Sequence, residues 1–369
     1  MTQPDVVLYG ASGYTGKLVA RQLAARGIPF VAAGRNGNRL KAELGALPEL
    51  DEASYEIAEV SADEAALTEL LRDRKVVYNT VGPFMQLGEP VVRAALAAGC
   101  HYLDSTGEQD WMLHTQRAFG RQFAERDLLL IPALSMMWAS GNLVAELCLE
   151  TPGVDSLDIL YVPRGSTPSV GSTLSFLRMC CQPQYRLVDN ELVQWPAATS
   201  FQATSPGIHR TLDCLPWSGG GEPVWFAEDE RVRHCETLVS FGDPNAMAAV
   251  LNLTREFADK YAHLPAEEQE AATNNWGHQM AASEPPRDDA NISRTIVSCQ
   301  GRGLTGGVSA VLWGNCGYDQ TGVIAAGAIE RLLRERHRAV GFVSPAHAFG
   351  ARPLLSEWSE AGLVEFELR

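Results

Sequence analysis

Asp5-Val6-Val7-Leu8-Tyr9-Gly10-Ala11-Ser12-Gly13-Tyr14-Thr15-Gly16-Lys17 decides the fold of this chain. Asp5–Gly10 is apolar in both side-chain registers, as a strand covered on both faces requires. Thr15–Arg26 then carries apolar residues at helical spacing. Between them the glycines fall as GxxGxxG, a relative of the GxGxxG turn. Gly10 permits the tight turn, Gly13 lets the backbone come close to a pyrophosphate, and Gly16 lets helix and strand pack together. Amide groups at the helix start, helped by the helix dipole, then face the phosphates. Ser12, Tyr14 and Thr15 can add hydroxyl contacts. A glycine triplet alone is a weak signal. Its place here, after an N-terminal strand and ahead of repeated βα units, makes it a phosphate loop.

The rhythm continues outward from that loop. Phe30–Gly34, Tyr55–Val60, Val76–Val81, His101–Asp104 and Leu128–Ala133 read as strands. Asn38–Leu47, Asp63–Arg72, Pro90–Ala98 and Gln109–Glu125 read as the helices between them. The predicted fold is α/β, a Rossmann-type doubly wound parallel sheet over residues 1–145. From about Asp155 the pattern changes. Leu157–Val162, Tyr185–Val193, Val224–Ala227, Glu236–Phe241, Ile292–Gln300 and Val308–Trp313 read as extended pieces. Gly171–Cys181, Ala246–Ala262 and Pro265–Ala282 read as helices, with Ser218–Gly221 as a flexible loop. This predicts an inserted α+β substrate or dimerisation domain over residues 146–315, with largely antiparallel pairing. A helix at Gly322–Arg338, with Asp319 and Thr321 at its N-cap, and an extended tail through Arg369 would return to the first domain over residues 316–369.

The second strand selects the coenzyme. NAD-binding versions place Asp or Glu at its end to bond the ribose 2′-hydroxyl. Here the strand ends Ala33-Gly34-Arg35-Asn36, and Arg39 follows; the first acid, Glu43, is too far along. Arg35 can stack on adenine and pair with a 2′-phosphate, with Asn36 and Arg39 beside it. NADP is therefore the expected cofactor.

Composition excludes several partners. The chain has 369 residues, 46% hydrophobic and 20% charged, and a formal net charge of −15. A field of that sign repels nucleic acid and anionic lipid, so neither is expected as a partner. The eight cysteines form no CxxC pair, and no His or Cys run has metal spacing, so no metal site is expected. The N-terminus lacks a signal-peptide pattern and no apolar run reaches bilayer length, which makes a cytoplasmic location the expectation.

VLYGASGYTGKLVA, AAGRNGNRL, NTVGPFMQLGEPVVRAALAAGCHYLDSTGE and the closing GFVSPAHAFGARPLLSEWSEAGL together resemble the saccharopine dehydrogenase-like family. The branch they resemble most contains trans-acting enoyl reductases. The resemblance implies a split Rossmann domain completed by the C-terminus. It further implies that Thr80-Val81-Gly82-Pro83-Phe84 runs past the nicotinamide and that Ser105–Glu108 faces the same cleft. Independently, both segments follow predicted parallel strands, beyond whose carboxyl ends ligands bind. One departure stands out: where the family carries a CGFDSIPSDL-like segment, this chain has Leu134–Leu143, with Met137 in place of Asp and Asn142 in place of a second acid.

Reduction of C=C, C=N or C=O needs a proton donor. Tyr14, Tyr102, Asp104, Glu108, Ser135 and Tyr161 lie near strand ends, and no Tyr-xxx-Lys pair singles one out. Glu108, then Tyr161, are taken as the catalytic candidates. The expected activity is an NADP-dependent reductase of a C=C or C=N bond in a small or medium metabolite. The alternative is a non-catalytic NADP(H)-binding sensor or accessory protein. A homodimer formed through the second domain is compatible with either.

Overall fold

The computed structural model describes residues 3–369. Two compact units emerge. The first comprises the chain up to Thr106 with Leu113–Met136 and Tyr318–Ala361; the second comprises Gly107–Met112, Met137–Gly317 and Gly362–Arg369.

Short strands apolar on both sides can only be interior strands. β1 (Val6–Tyr9), β2 (Phe30–Gly34) and β4 (Val76–Asn79) are buried at every residue, whereas β3 (Tyr55–Glu59), with its alternating polar side chains, is the half-exposed edge. With β5 (His101–Asp104), β6 (Leu129–Ile131) and β15 (Gly341–Phe342) they form one parallel sheet in the order β15-β6-β5-β4-β1-β2-β3. After β1 the chain first fills one side, β2 and β3, then crosses to β4 on the other. The strand order therefore reverses between β1 and β4, where open α/β sheets bind ligands. Helix α1 (Tyr14–Ala25) follows β1, and α2 (Gly37–Gly45) follows β2.

The C-terminal part of this unit differs from the sequence reading. The long helix spans Gly317–Leu333, so Asp319 and Thr321 lie within its first turns rather than at its cap. Thr321 Oγ1 instead accepts the Met136 amide at 3.0 Å. The expected tail is extended only at Gly341–Phe342 and Val364–Leu368; between them lie two helices, Pro345–Phe349 and Ala351–Glu360. Ser344 before Pro345 is a side-chain cap with proline at the first helical position, a local signal strong enough to start a helix. Leu354, Leu355 and Trp358 bury one face of the second.

The second unit is a mixed seven-stranded sheet. Its strands are β7 (Val154–Arg164), β8 (Tyr185–Val188), β9 (Glu191–Gln194), β12 (His234–Val239), β13 (Arg294–Gly303), β14 (Gly306–Gly314) and β16 (Val364–Leu368), in the order β16-β14-β13-β7-β12-β8-β9. All neighbours are antiparallel except β7 and β12. β10 (Phe201–Ala203) and β11 (Leu212–Cys214) make a separate pair. The last strand, β16, belongs to this unit and not to the first.

Two further expectations are corrected here. Val224–Ala227 lies mostly in a helix, Glu222–Phe226, opened by an acid and a proline. Ser218–Gly221 is buried, not a flexible surface loop; Ser218, Gly219 and Gly220 all take positive φ, and Trp217 beside them stacks on Phe176 at 3.9 Å. Among the described residues no helix is long and apolar enough to cross a membrane.

Candidate coenzyme site and two buried acids

The turn after β1 has the shape that its glycines require. Gly10 has φ +88°, and a β-carbon there would stand 2.5 Å from Thr80 Oγ1 and 2.8 Å from Val81 Cγ2. A β-carbon on Gly16 would collide with the Gly10 carbonyl. These two glycines let strand, turn and helix close on one another. Gly13 is different: its φ is −78°, and the Gly10 carbonyl, at 3.3 Å, is all that its β-carbon would meet. It borders open space. No side chain caps the start of α1, whose opening amides are the natural seat of a diphosphate. Ser12 and Thr15 are half-buried beside that start, while the Tyr14 ring is buried edge-on to Tyr318 at 4.7 Å.

The loop after β4 is held to the same turn. Thr80 Oγ1 donates to the carbonyls of Tyr9 and Gly10, at 3.0 and 3.1 Å. Val81 N donates to Asn79 Oδ1 at 2.9 Å. Asn79 Nδ2 donates to the Tyr102 hydroxyl, which donates to Asp104 Oδ2 at 2.9 Å. Asp104 Oδ1 accepts the Thr106 and Ala133 amides. Tyr102 and Asp104 are fully buried in this network, which holds Val81 through Asn79, while Thr80 is held on the carbonyls of Tyr9 and Gly10. Gly82 is half-buried, and Pro83 and Phe84 are buried, as the chain turns into the short helix Phe84–Leu87.

At the end of β2, Arg35 is exposed and makes no hydrogen bond or ion pair with any described residue. Burial raises the pKa of the Tyr9 phenol, and the positive charge of Arg35 pulls it back down. The guanidinium field thus reaches the end of β1. Asn36 Oδ1 accepts the Arg39 amide at 2.9 Å and so caps α2, leaving its amide nitrogen for a ligand. Arg39 is exposed beside it.

Both catalytic candidates lie in the second unit, and both are engaged. Glu108 is fully buried; Oε1 accepts from Ser175 Oγ at 2.7 Å, and Oε2 lies 3.0 Å from Arg178 Nη1. Arg178, itself 1% exposed, also pairs with Asp110 at 2.8 Å and approaches Glu270 at 3.3 Å. Glu108 is thus a hydrogen-bond acceptor on both oxygens. Tyr161 is fully buried too: its hydroxyl donates to Glu222 Oε1 at 2.6 Å and accepts the Gly141 amide at 2.7 Å. The Trp138 ring stands edge-on to it at 5.2 Å.

Glu222 is the acid that the sequence reading passed over. Thr237 Oγ1 donates to its other oxygen at 3.1 Å, and burial pushes its carboxyl up to about 7. Gly141 and Gly220 make room for it, since a β-carbon at either would strike the Glu222 carboxylate. The available signal was Gly-Gly-Gly followed by Glu-Pro ahead of an apolar run, a helix opening rather than a solvent loop. Among the described residues no group of three or more His, Cys, Asp and Glu is placed to hold a metal ion.

An uncapped glycine turn at a topological switch point, with an unpaired guanidinium at the next strand end, defines the first unit as a dinucleotide-binding Rossmann domain. Residues 6–131 match the Saccharopine dehydrogenase NADP binding domain, and this unit binds NADP. Residues 139–367 match the Family of unknown function (DUF5938), and the chain belongs to that family. A lipid droplet localized protein of Caenorhabditis elegans is 35% identical over 142 residues, 36% of this chain and 33% of that protein. A trans-acting enoyl reductase of Mycobacterium ulcerans is 31% identical over 131 residues, 35% of this chain and 31% of that protein. The match spans about a third of the length of these curated relatives. Apo saccharopine dehydrogenase (L-Glu forming) of Saccharomyces cerevisiae shares the fold over 100% of both chains, with a TM-score of 0.62 at 14% identity.

Proposed function

We propose that the chain is an NADPH-dependent reductase of a C=C or C=N bond in a small or medium metabolite. One observation carries the reading: the open face of Gly13, at the uncapped head of α1, lies one strand away from the unpaired Arg35. The names of the relatives support it, one an enoyl reductase and one acting on saccharopine.

When bound, NADPH supplies the hydride, and the protein supplies binding and orientation. The amides after Gly10 hold the diphosphate, with Ser12 and Thr15 at its edge. Arg35 holds the 2′-phosphate, with Asn36 and Arg39 beside it. Val81, held through Asn79 by the Tyr102–Asp104 network, and Thr80, held on the Tyr9 carbonyl, would present the backbone from Thr80 to Phe84 to the nicotinamide.

Neither acid candidate is assigned the proton transfer. Glu108 is held by Arg178 and Ser175, and the Tyr161 proton is given to Glu222. These contacts tie parts of the second unit to one another. The same observation favours a second reading, a non-catalytic NADP(H) sensor, which requires no donor.

The test uses the purified full chain. NADPH binding is followed by coenzyme fluorescence, and NADPH oxidation is then measured against a panel of enones, imines and carbonyls. Oxidation dependent on one substrate class supports the reductase. Tight binding with no turnover across the panel supports the sensor. No binding of either coenzyme removes both.

A further inference from the structure

β3 brings an acid to the turn that holds Arg35. In the β2–β3 register Glu59 is the partner of Gly34, the residue immediately before Arg35. Glu59 Oε2 accepts the Gly37 amide at 2.8 Å, and a β-carbon on Gly37 would stand 2.7 Å from that oxygen. Glycine at 37 is therefore what lets the carboxylate reach the opening of α2. Glu59 is exposed and, like Arg35, forms no ion pair with a described residue. The β2–α2 turn thus carries an unneutralised cation and an unneutralised anion two residues apart, Arg35 on the chain itself and Glu59 against Gly37.

The hydrogen bond alone does not require a charge. A side-chain amide at position 59 would still accept the Gly37 proton, though less strongly, and Asn36, a neutral side chain, already caps the same helix. What the carboxylate adds is negative charge beside the group expected to grip a phosphate. We propose that Glu59 is a specificity-determining residue for the coenzyme: its charge opposes the 2′-phosphate that Arg35 attracts and narrows the preference for NADPH over NADH. The inference rests on the coenzyme site described above. A like charge across a solvent-filled surface gap of about 4 Å acts at close to the dielectric of water, which limits its effect to roughly fivefold in affinity.

The test compares the full-length wild type with Glu59→Gln, titrating NADPH and NADH separately by coenzyme fluorescence. Glu59→Gln keeps the acceptor for Gly37 and removes the charge. The expected result is NADPH binding tightened roughly fivefold with NADH unchanged, and a difference that shrinks at high salt. Glu59→Ala removes the cap as well. It is expected to lower the unfolding temperature while shifting the coenzyme ratio in the same direction. Unchanged affinities in Glu59→Gln, an equal change for both coenzymes, or weaker NADPH binding would each overturn the proposal. A wild type that binds neither coenzyme overturns the site itself and not merely the role of Glu59, so the two failures are distinguishable.

Discussion

Tyr161 gives its hydroxyl proton to Glu222 across 2.6 Å, with both side chains fully buried. A carboxylate out of water with only neutral donors around it is poorly compensated, and its charged form is disfavoured. That relationship has a consequence for stability.

Glu222 is raised from 4.5 to about 7, chiefly by burial. Between those values the folded state keeps a proton that the unfolded chain has released, so this contribution is full below pH 4.5 and is lost as pH rises through 7. His101 behaves oppositely. Burial, then the neighbouring His337, lowers it from 6.5 to about 4, and its Nδ1 accepts the Leu129 amide at 2.9 Å. Its contribution is full above pH 6.5 and is lost as pH falls toward 4. Each shift corresponds to about 3 kcal/mol at full titration. The two oppose each other between pH 4.5 and 6.5. We expect Glu222→Gln to unmask the histidine, with urea stability rising from pH 4 to 6.5, and His101→Asn to unmask the acid, with stability falling from pH 4.5 to 7. Profiles parallel to wild type in both variants would contradict these assignments.

Glu108 separates a structural from a catalytic role. Truncating one partner of a buried ion pair costs about 3–5 kcal/mol. Arg178 keeps Asp110 and Glu270, so we expect Glu108→Ala to fall at the low end of that range in chemical denaturation. A variant of unchanged stability with turnover abolished would restore Glu108 as a proton donor.

The three glycines of the turn are not equivalent. Gly16→Ala drives a methyl group into the Gly10 carbonyl, and we expect a stability loss of about 1–3 kcal/mol. Gly13→Ala meets only the Gly10 carbonyl, a tight contact at 3.3 Å, and sits at an ordinary φ. We expect it to cost far less stability than Gly16→Ala and to weaken NADPH binding, because the methyl group enters the space of the diphosphate. Calorimetry and fluorescence titration on the same samples check the pair. Gly13→Ala with wild-type NADPH affinity would place the diphosphate elsewhere.

How much of this was legible in the sequence follows from the range of the interactions. VVLY, FVAAG and VVYN are short apolar runs alternating with helical stretches, the mark of buried parallel strands, and Gly10-x-x-Gly13-x-x-Gly16 acts within one turn, so sheet and phosphate loop could be read directly. Glu59 was passed over because YEIAE alternates like any edge strand, and its meaning comes from register with Gly34, 25 positions earlier. The Glu222 partnership with Tyr161 spans 61 positions and leaves no periodic trace. The helices of the C-terminal tail rest on one short local signal, Ser344-Pro345, flanked by segments that are extended.

The central claim is that the Gly10–Gly16 turn holds the diphosphate while Arg35 grips a 2′-phosphate. It is tested most directly by titrating wild type and Arg35→Ala with NADPH and NADH. We expect the substitution to weaken NADPH by about 1–3 kcal/mol, the size of a hydrogen bond to a charged group, and to leave NADH where it was. An equal loss for both coenzymes, or none for NADPH, would contradict it.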